Sequence, residues 1–152
     1  MKICYLANTA MPSTNASAIQ IAKMCEAFAE LKNNVTLITT NASRGNIFDF
    51  YKIKTKFKFK KIQNFKKFPL GFKFYLFSFL SIIESIKLKP DIYITRNFFT
   101  CFLLILLKKK VVLELHHGLD TEARIVRLIV KNSNFLNSKY LLKLIAITNF
   151  VK

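Results

Sequence analysis

Between Lys2 and Thr40 the apolar positions change rhythm twice. Lys2-Ile-Cys-Tyr-Leu-Ala7 is a continuous apolar run, of a length suited to a buried parallel strand. Asn8 to Ser17 is polar and small, and Pro12 bars continuation of either strand or helix. Ser17-Ala-Ile-Gln20 has the form of a capping box, a hydroxyl serving free N–H groups and an amide reaching back. From Ala18 the period becomes helical. Ala18, Ile21, Ala22, Met24, Cys25, Phe28, Ala29 and Leu31 share one broad arc, and Gln20, Lys23, Glu26 and Glu30 the other, with Ile19 the misfit. Asn33-Asn34 suits the left-handed turn that ends a helix, and Val35-Thr-Leu-Ile-Thr-Thr40 reads as a second strand. A right-handed crossover of this size makes the two strands parallel neighbours. That unit seeds a doubly wound sheet, whose ligands sit beyond the strands' carboxyl ends. Attention therefore goes first to Asn8–Asn15.

The alternation of strand and helix continues to the end of the chain. After a polar linker, Asn41–Asn46, the stretch Ile47–Tyr51 predicts a short helical turn. Lys54 to Lys60 alternates strictly, placing Lys54, Lys56, Lys58 and Lys60 on one face. It predicts a lysine-guarded edge strand. The competing reading is a basic ribbon, interleaved with Phe57 and Phe59, that stacks bases or meets lipid phosphates. Phe65–Gly71 is an aromatic, basic connection, and Phe72–Leu88 predicts a well-buried helix, or one lying on a bilayer with lysine heads outward. Lys89-Pro-Asp91 stops it. Ile92–Thr95 and Val111–Leu115 are strands, with Phe98–Leu107 a short buried helix between them, closed by Lys108–Lys110. Thr121–Asn132 and Lys139–Leu142 read as helical, and Leu144–Thr148 as a last strand. There is no internal repeat. The expected fold is α/β, a Rossmann-like three-layer sandwich with a mostly parallel sheet in a single domain spanning residues 1–152.

Composition narrows this picture. The chain has 152 residues, enough for a real core, and 52% hydrophobic content with 14% aromatics excludes disorder. A formal charge of +17 has two competing sources: a surface selected to meet phosphate, or codon bias toward Lys, Phe, Ile and Asn. Cys4, Cys25 and Cys101 lie within apolar elements with no zinc spacing, which predicts buried free thiols in a reducing compartment and no metal site. No cofactor is expected. No signal peptide and no spanning segment are legible, so the expected location is cytoplasmic, with a peripheral position at the inner face of the membrane as the variant.

Polar residues cluster at predicted carboxyl ends of strands. These are Asn8, Ser13, Thr14 and Asn15 after the first strand, Arg96-Asn97 after the fourth, and Glu114-Leu-His116-His117 at the fifth. Histidine can shuttle a proton near neutral pH or donate a fixed hydrogen bond to a sugar hydroxyl or phosphate; it can equally cap the next helix. Glu114 inside an apolar strand is costly to bury alone and requires a partner, for which Arg96 is the candidate. Several classes fall away. No GxGxxG follows the first strand, and the first glycine is Gly45. There is no GxSxG, and no signature of specific nucleic-acid binding.

The run Ala18-Ile-Gln-Ile-Ala-Lys-Met-Cys-Glu-Ala-Phe-Ala-Glu-Leu31, followed by Val35-Thr-Leu-Ile38, resembles the opening unit of family 4 glycosyltransferases of the two-domain GT-B type. Asp91–Arg96, Val112-Leu-Glu-Leu-His116 and Leu144–Thr148 are similar to later strands of that family's N-terminal domain, with the likeness weakest from Phe48 to Ile86. The Asn8–Asn15 loop departs from the family in lacking glycine, which bears on contact with a donor phosphate. The resemblance implies the acceptor-side domain of a retaining glycosyltransferase, acting in synthesis of cell-surface polysaccharide. Its catalytic residue would be His116, beside the transferred sugar. Asn8, Ser13, Thr14, Asn15, Arg96, Asn97, Glu114 and His117 would line the cleft. Partners would be a glycan or lipid-linked acceptor and a nucleotide-sugar donor, the donor held mainly by a second, C-terminal domain with no counterpart in these 152 residues. The expectation is a gene fragment, one half of a split enzyme, or a relic, inactive alone. The alternative class is a basic α/β module that meets nucleic acid without sequence preference, or an anionic membrane through its Lys/Phe-rich region.

Overall fold

A computed structural model describes residues 1–41, 45–62, 69–115 and 123–146. His116, His117, the middle of the Asn41–Asn46 linker, most of the Phe65–Gly71 connection, Thr121 and the end of the last predicted strand lie outside the described residues. In chain order the elements are β1 (Lys2–Met11), α1 (Ala16–Glu30), β2 (Asn34–Asn41), α2 (Ile47–Phe50), β3 (Lys58–Ile62), α3 (Leu70–Ile86), β4 (Ile92–Thr95), α4 (Phe98–Leu106), β5 (Val111–Leu115), α5 (Arg124–Asn132) and β6 (Leu141–Ala146). Every pairing described between strands is parallel. The fold is thus α/β and Rossmann-like, parallel strands flanked by helices, as the alternating pattern predicts. The chain divides into two compact units, Met1–Asp91 and Ile92–Lys152.

In the first unit β2 lies between β1 and β3, with Ile3 opposite Val35, Tyr5 opposite Leu37, and Leu37 opposite Phe59. Ile3 to Ala7 and Val35 to Ile38 are buried, because a parallel strand covered on both faces is built mostly from apolar residues, with Thr36 the polar member of the run. Helix α1 buries Ala18, Ile21, Ala22 and Cys25, while Ile19 stays exposed, as the wheel requires. Leu31 departs from the expected arc and stands 74% exposed. Glu26, expected on the polar side, is buried. Its carboxylate accepts from Lys23 Nζ at 2.7 Å and from the Lys54 amide at 2.5 Å, so α1 fixes the turn ahead of β3. Those contacts, the Lys23 hydrogen bond foremost, hold its carboxyl below the ordinary carboxylate range.

Four expectations about local structure are corrected here. The N-cap of α1 is Asn15, with no side-chain cap bond, so Ser17–Gln20 lies inside the helix and forms no capping box. The left-handed residue after α1 is Lys32 (φ 59°), not an asparagine, and Lys52, Lys89 and Lys108 take the same conformation after α2, α3 and α4. With three glycines in the chain, lysine stands at positions glycine usually holds. Around Lys32 the Schellman bonds are complete, Asn33 N donating to Phe28 O at 3.2 Å and Lys32 N to Ala29 O at 2.9 Å. They repeat at Lys108. The alternating lysine segment is a strand only from Lys58. There it pairs with β2 on one side and forms the edge of its unit, as the lysine pattern implies. Lys139–Leu142 is not helical: Lys139-Tyr140 is a turn, and β6 begins at Leu141.

The largest departure is in α3. Its buried face is built from Phe77, Ile82 and three fully buried serines, Ser78, Ser81 and Ser85. Each serine hydroxyl donates to a carbonyl of its own helix, of Phe74, Ser78 and Ile82 respectively, at 2.8–3.0 Å. Small side chains with internally satisfied hydroxyls let the helix lie close on β1, β2 and β3. Consequently Phe72, Phe74, Phe79, Ile83 and Ile86 are exposed, against the first of the two sequence readings, a well-buried helix.

In the second unit β5 pairs with β4 on one side and β6 on the other. Its core is Tyr93, Ile94, Phe98, Cys101, Leu104, Val111, Leu113 and Leu115. Asn97 caps α4 through its side-chain oxygen, which accepts from the Thr100 amide at 2.9 Å. A 3₁₀ turn, Phe135–Asn137, packs Phe135 edge-on against Phe102 with ring centroids 5.8 Å apart.

Candidate functional site

In the first unit the candidate loop is shorter than its polar composition suggests. β1 runs through Asn8 to Met11, with a bulge between Ala7 and Ala10 before the strand resumes pairing with Thr40 and Asn41. Asn8 is therefore a half-buried strand residue at the bulge, the irregularity by which a strand end re-aims its side chains. The loop proper is Pro12–Asn15. It is held from outside: Tyr51, buried just after α2, donates its hydroxyl proton to Ser13 O at 2.9 Å and accepts from Ser13 N at 2.7 Å. The Ser13 hydroxyl accepts in turn from the Asn15 amide at 3.3 Å. Thr14 and Asn15 are exposed at the entrance to α1. Gly45 belongs to the same arrangement, because a Cβ there would stand 3.3 Å from the Pro12 ring. The Thr39 hydroxyl, buried on the residue paired with Ala7, has no hydrogen-bond partner.

In the second unit the expectation for Glu114 is met. Its carboxylate, 2% exposed, receives Arg96 Nη2 at 2.8 Å and Nε at 3.2 Å. β4 and β5 are parallel neighbours with Thr95 opposite Leu113, so Arg96 and Glu114 follow in register at adjacent carboxyl ends. Two-point contact of a planar guanidinium with a carboxylate fixes both side chains, and a buried charge tolerates nothing looser. The pair stands at the carboxyl ends of β4 and β5, with Glu114 two positions before His116 in the sequence. Asn97 is committed to capping α4, and its own amide donates to the Thr95 hydroxyl at 3.2 Å.

Each unit thus brings its own predicted polar residues to strand carboxyl ends. Tyr51 and Gly45 are the residues that sequence reasoning missed. Tyr51 follows Ser13 by 38 positions, and nothing in a single sequence links the two. Gly45, the first glycine of the chain, was legible as an outlier but not as a neighbour of Pro12. The chemistry available is hydrogen bonding and fixed charge. Burial pushes the Cys4 and Cys101 thiols up to about 12, so neither is a thiolate nucleophile. Among the described residues no cluster of three or more His, Cys, Asp or Glu is placed to hold a metal ion, and no helix is long and apolar enough to cross a membrane. A small cleft lined by Lys2, Asn34, Lys58 and Pro90 lies at the amino ends of β1 and β2, the end of the strands that does not carry ligands in this topology. No protein-family model matches the chain, and no curated protein matches it.

Proposed function

We propose that the chain is the acceptor-side half of a retaining glycosyltransferase of the GT-B type, with His116 beside the transferred sugar. Two things support the reading: the sequence resemblance, and a fold of the required class with polar residues at its strand carboxyl ends. The observation that carries it is the buried Arg96–Glu114 pair. A buried ion pair rarely adds stability over an apolar pair of the same volume, so its use lies in fixing geometry. Here it stiffens the end of β5, immediately before the two histidines.

In this reading the acceptor, a glycan or lipid-linked sugar, meets the end of β5, and a second domain supplies the nucleotide-sugar. In a retaining transfer positive charge develops on the sugar ring as the bond to the leaving phosphate breaks. A neutral His116 donates a hydrogen bond to a sugar hydroxyl without opposing that charge. The isolated chain transfers nothing, because half a cleft cannot close around both substrates and exclude water.

The test is co-expression with a C-terminal nucleotide-sugar domain, followed by assay of sugar transfer. His116→Ala is expected to lower turnover by roughly 10²-fold or more, the loss seen when one transition-state hydrogen bond is removed, with little change in Tm. His117→Ala costs less. Turnover by the purified 152-residue chain alone, or full activity in His116→Ala, overturns the reading. Steeply salt-dependent binding of arbitrary oligonucleotides, without sugar transfer by the completed enzyme, would assign the chain instead to the basic binding modules.

A further inference from the structure

Helix α3 is amphipathic the wrong way round for a helix on a sheet. Its serines point inward, and Phe72, Leu76, Phe79, Ile83 and Ile86 recur at alternating spacings of four and three. At about 100° per residue they fall within about 80° of arc, centred nearly opposite the buried serines, and run about 21 Å along the axis. Phe72, Phe79 and Ile83 are each at least 50% exposed, Ile86 is 38% exposed and Leu76 is partly so. An apolar stripe this continuous on a soluble surface marks a contact with something else.

Charge identifies the contact. Lys73 and Lys87 lie on one flank of the stripe, and Glu84 on that flank is paired with Lys87 at 2.9 Å and with Lys60 of β3 at 3.4 Å. Strand alternation places exposed Lys58 on the same face of the sheet as Lys60, beside the helix. Glu84 is the single acidic residue in α3. Aromatic and aliphatic side chains with lysines along one margin are what anionic lipid headgroups and the acyl chains below them recognise. A second copy of the chain fits worse. It would bring two lysine flanks together on molecules of formal charge +17. The stripe exposes only roughly 400 Å², taking about 200 Å² for each full side chain, against about 800 Å² per partner in a stable dimer.

We propose that α3 is a membrane-docking helix, which lays its Phe72–Ile86 stripe into the surface of an anionic bilayer while Lys58, Lys60, Lys73 and Lys87 meet the phosphates. The inference is independent of sugar transfer, since it uses none of the residues assigned to that chemistry.

The chain has no tryptophan, so a single introduced indole reports one position. Phe79→Trp is a conservative change at an exposed site. With vesicles of phosphatidylcholine and phosphatidylglycerol at three to one, its emission is expected to shift to the blue and to be quenched by lipids brominated along the acyl chain. With pure phosphatidylcholine vesicles neither change is expected, and raising the salt concentration should release the protein. In flotation assays Phe79→Asp with Ile83→Asp should lower the fraction bound to the anionic vesicles at least tenfold. Circular dichroism confirms that the variant is folded. Emission from the Phe79→Trp variant that stays unshifted and unquenched on anionic vesicles overturns the proposal. So does undiminished flotation of the folded double variant, equal binding to neutral vesicles, or a lipid-free dimer in sedimentation equilibrium that the two aspartates abolish.

Discussion

The outer strands of the two units solve the same problem differently. β3, paired on one side with β2, shows solvent Lys58, Lys60 and Lys61, and keeps Phe59 and Ile62 half-buried. β6, paired on one side with β5, shows solvent Leu142, Leu144 and Ile145 at 38–45% exposure, with Lys143 as its one charge. Successive strand residues face opposite ways, so β6 is bare on both faces. A lysine-rich edge resists pairing with a neighbouring molecule, while an exposed apolar strand is a surface where association starts. Position at an edge therefore does not decide what an edge strand looks like. The first unit carries a finished margin, and the second carries one with the composition of an interior strand.

Ion pairs also differ in burial, Arg96–Glu114 being enclosed and Glu84 with Lys60 and Lys87 exposed, and the largest expected effect comes from there. Glu114→Ala leaves the Arg96 guanidinium at a buried site without its carboxylate, and should lower the unfolding free energy by about 3–5 kcal/mol in urea denaturation. Glu84→Ala, which removes the solvent-exposed partner of Lys60 and Lys87, should leave the midpoint close to that of the parent chain. Equal losses in the two variants would erase the distinction between the enclosed pair of the second unit and this exposed pair of the first.

Helix ends should behave alike in both units. Lys32 and Lys108 hold left-handed conformations of φ 59° and 55°, which disfavour any residue with a Cβ. Replacing either with glycine removes roughly 1–2 kcal/mol of backbone strain and adds about 0.5–1 kcal/mol of unfolded-state entropy, for a net gain of about 0.5–1 kcal/mol. Thermal unfolding of Lys32→Gly and Lys108→Gly measures it. A loss of stability in either variant would mean that the lysine side chain contributes more than its backbone costs.

The smallest change in stability accompanies the clearest change in solubility. Leu142→Lys with Leu144→Lys on β6 should shift stability by no more than about 0.5 kcal/mol per site and reduce light scattering at high protein concentration. Lys58→Leu with Lys60→Leu on β3 should raise scattering. If the β6 substitutions instead unfold the chain, the leucines support the strand and the contrast between the margins fails.

Much of the fold was legible because it depends on local periodicity. Continuous apolar runs placed β4 and β5 to the residue, and β2 to within one residue at each end. Strict lysine alternation marked β3 as an edge, and the cost of burying Glu114 named Arg96 as its partner. These readings need only the sequence, since a buried strand, an edge and a buried charge each constrain composition directly. What tertiary structure decided was where a local preference yields to its surroundings. Asn8 joined β1 because a bulge lets the strand continue beside Thr40 and Asn41. Lysine took the left-handed caps because the helices had to end there and glycine was not supplied. Tyr51 reached Ser13 across 38 positions. The inversion of α3 is the same lesson at its largest. Hydrophobicity alone assigns its phenylalanines to the core, but against the sheet only Phe77 is buried among them, and serines that satisfy their own hydroxyls fill the rest of that face with Ile82.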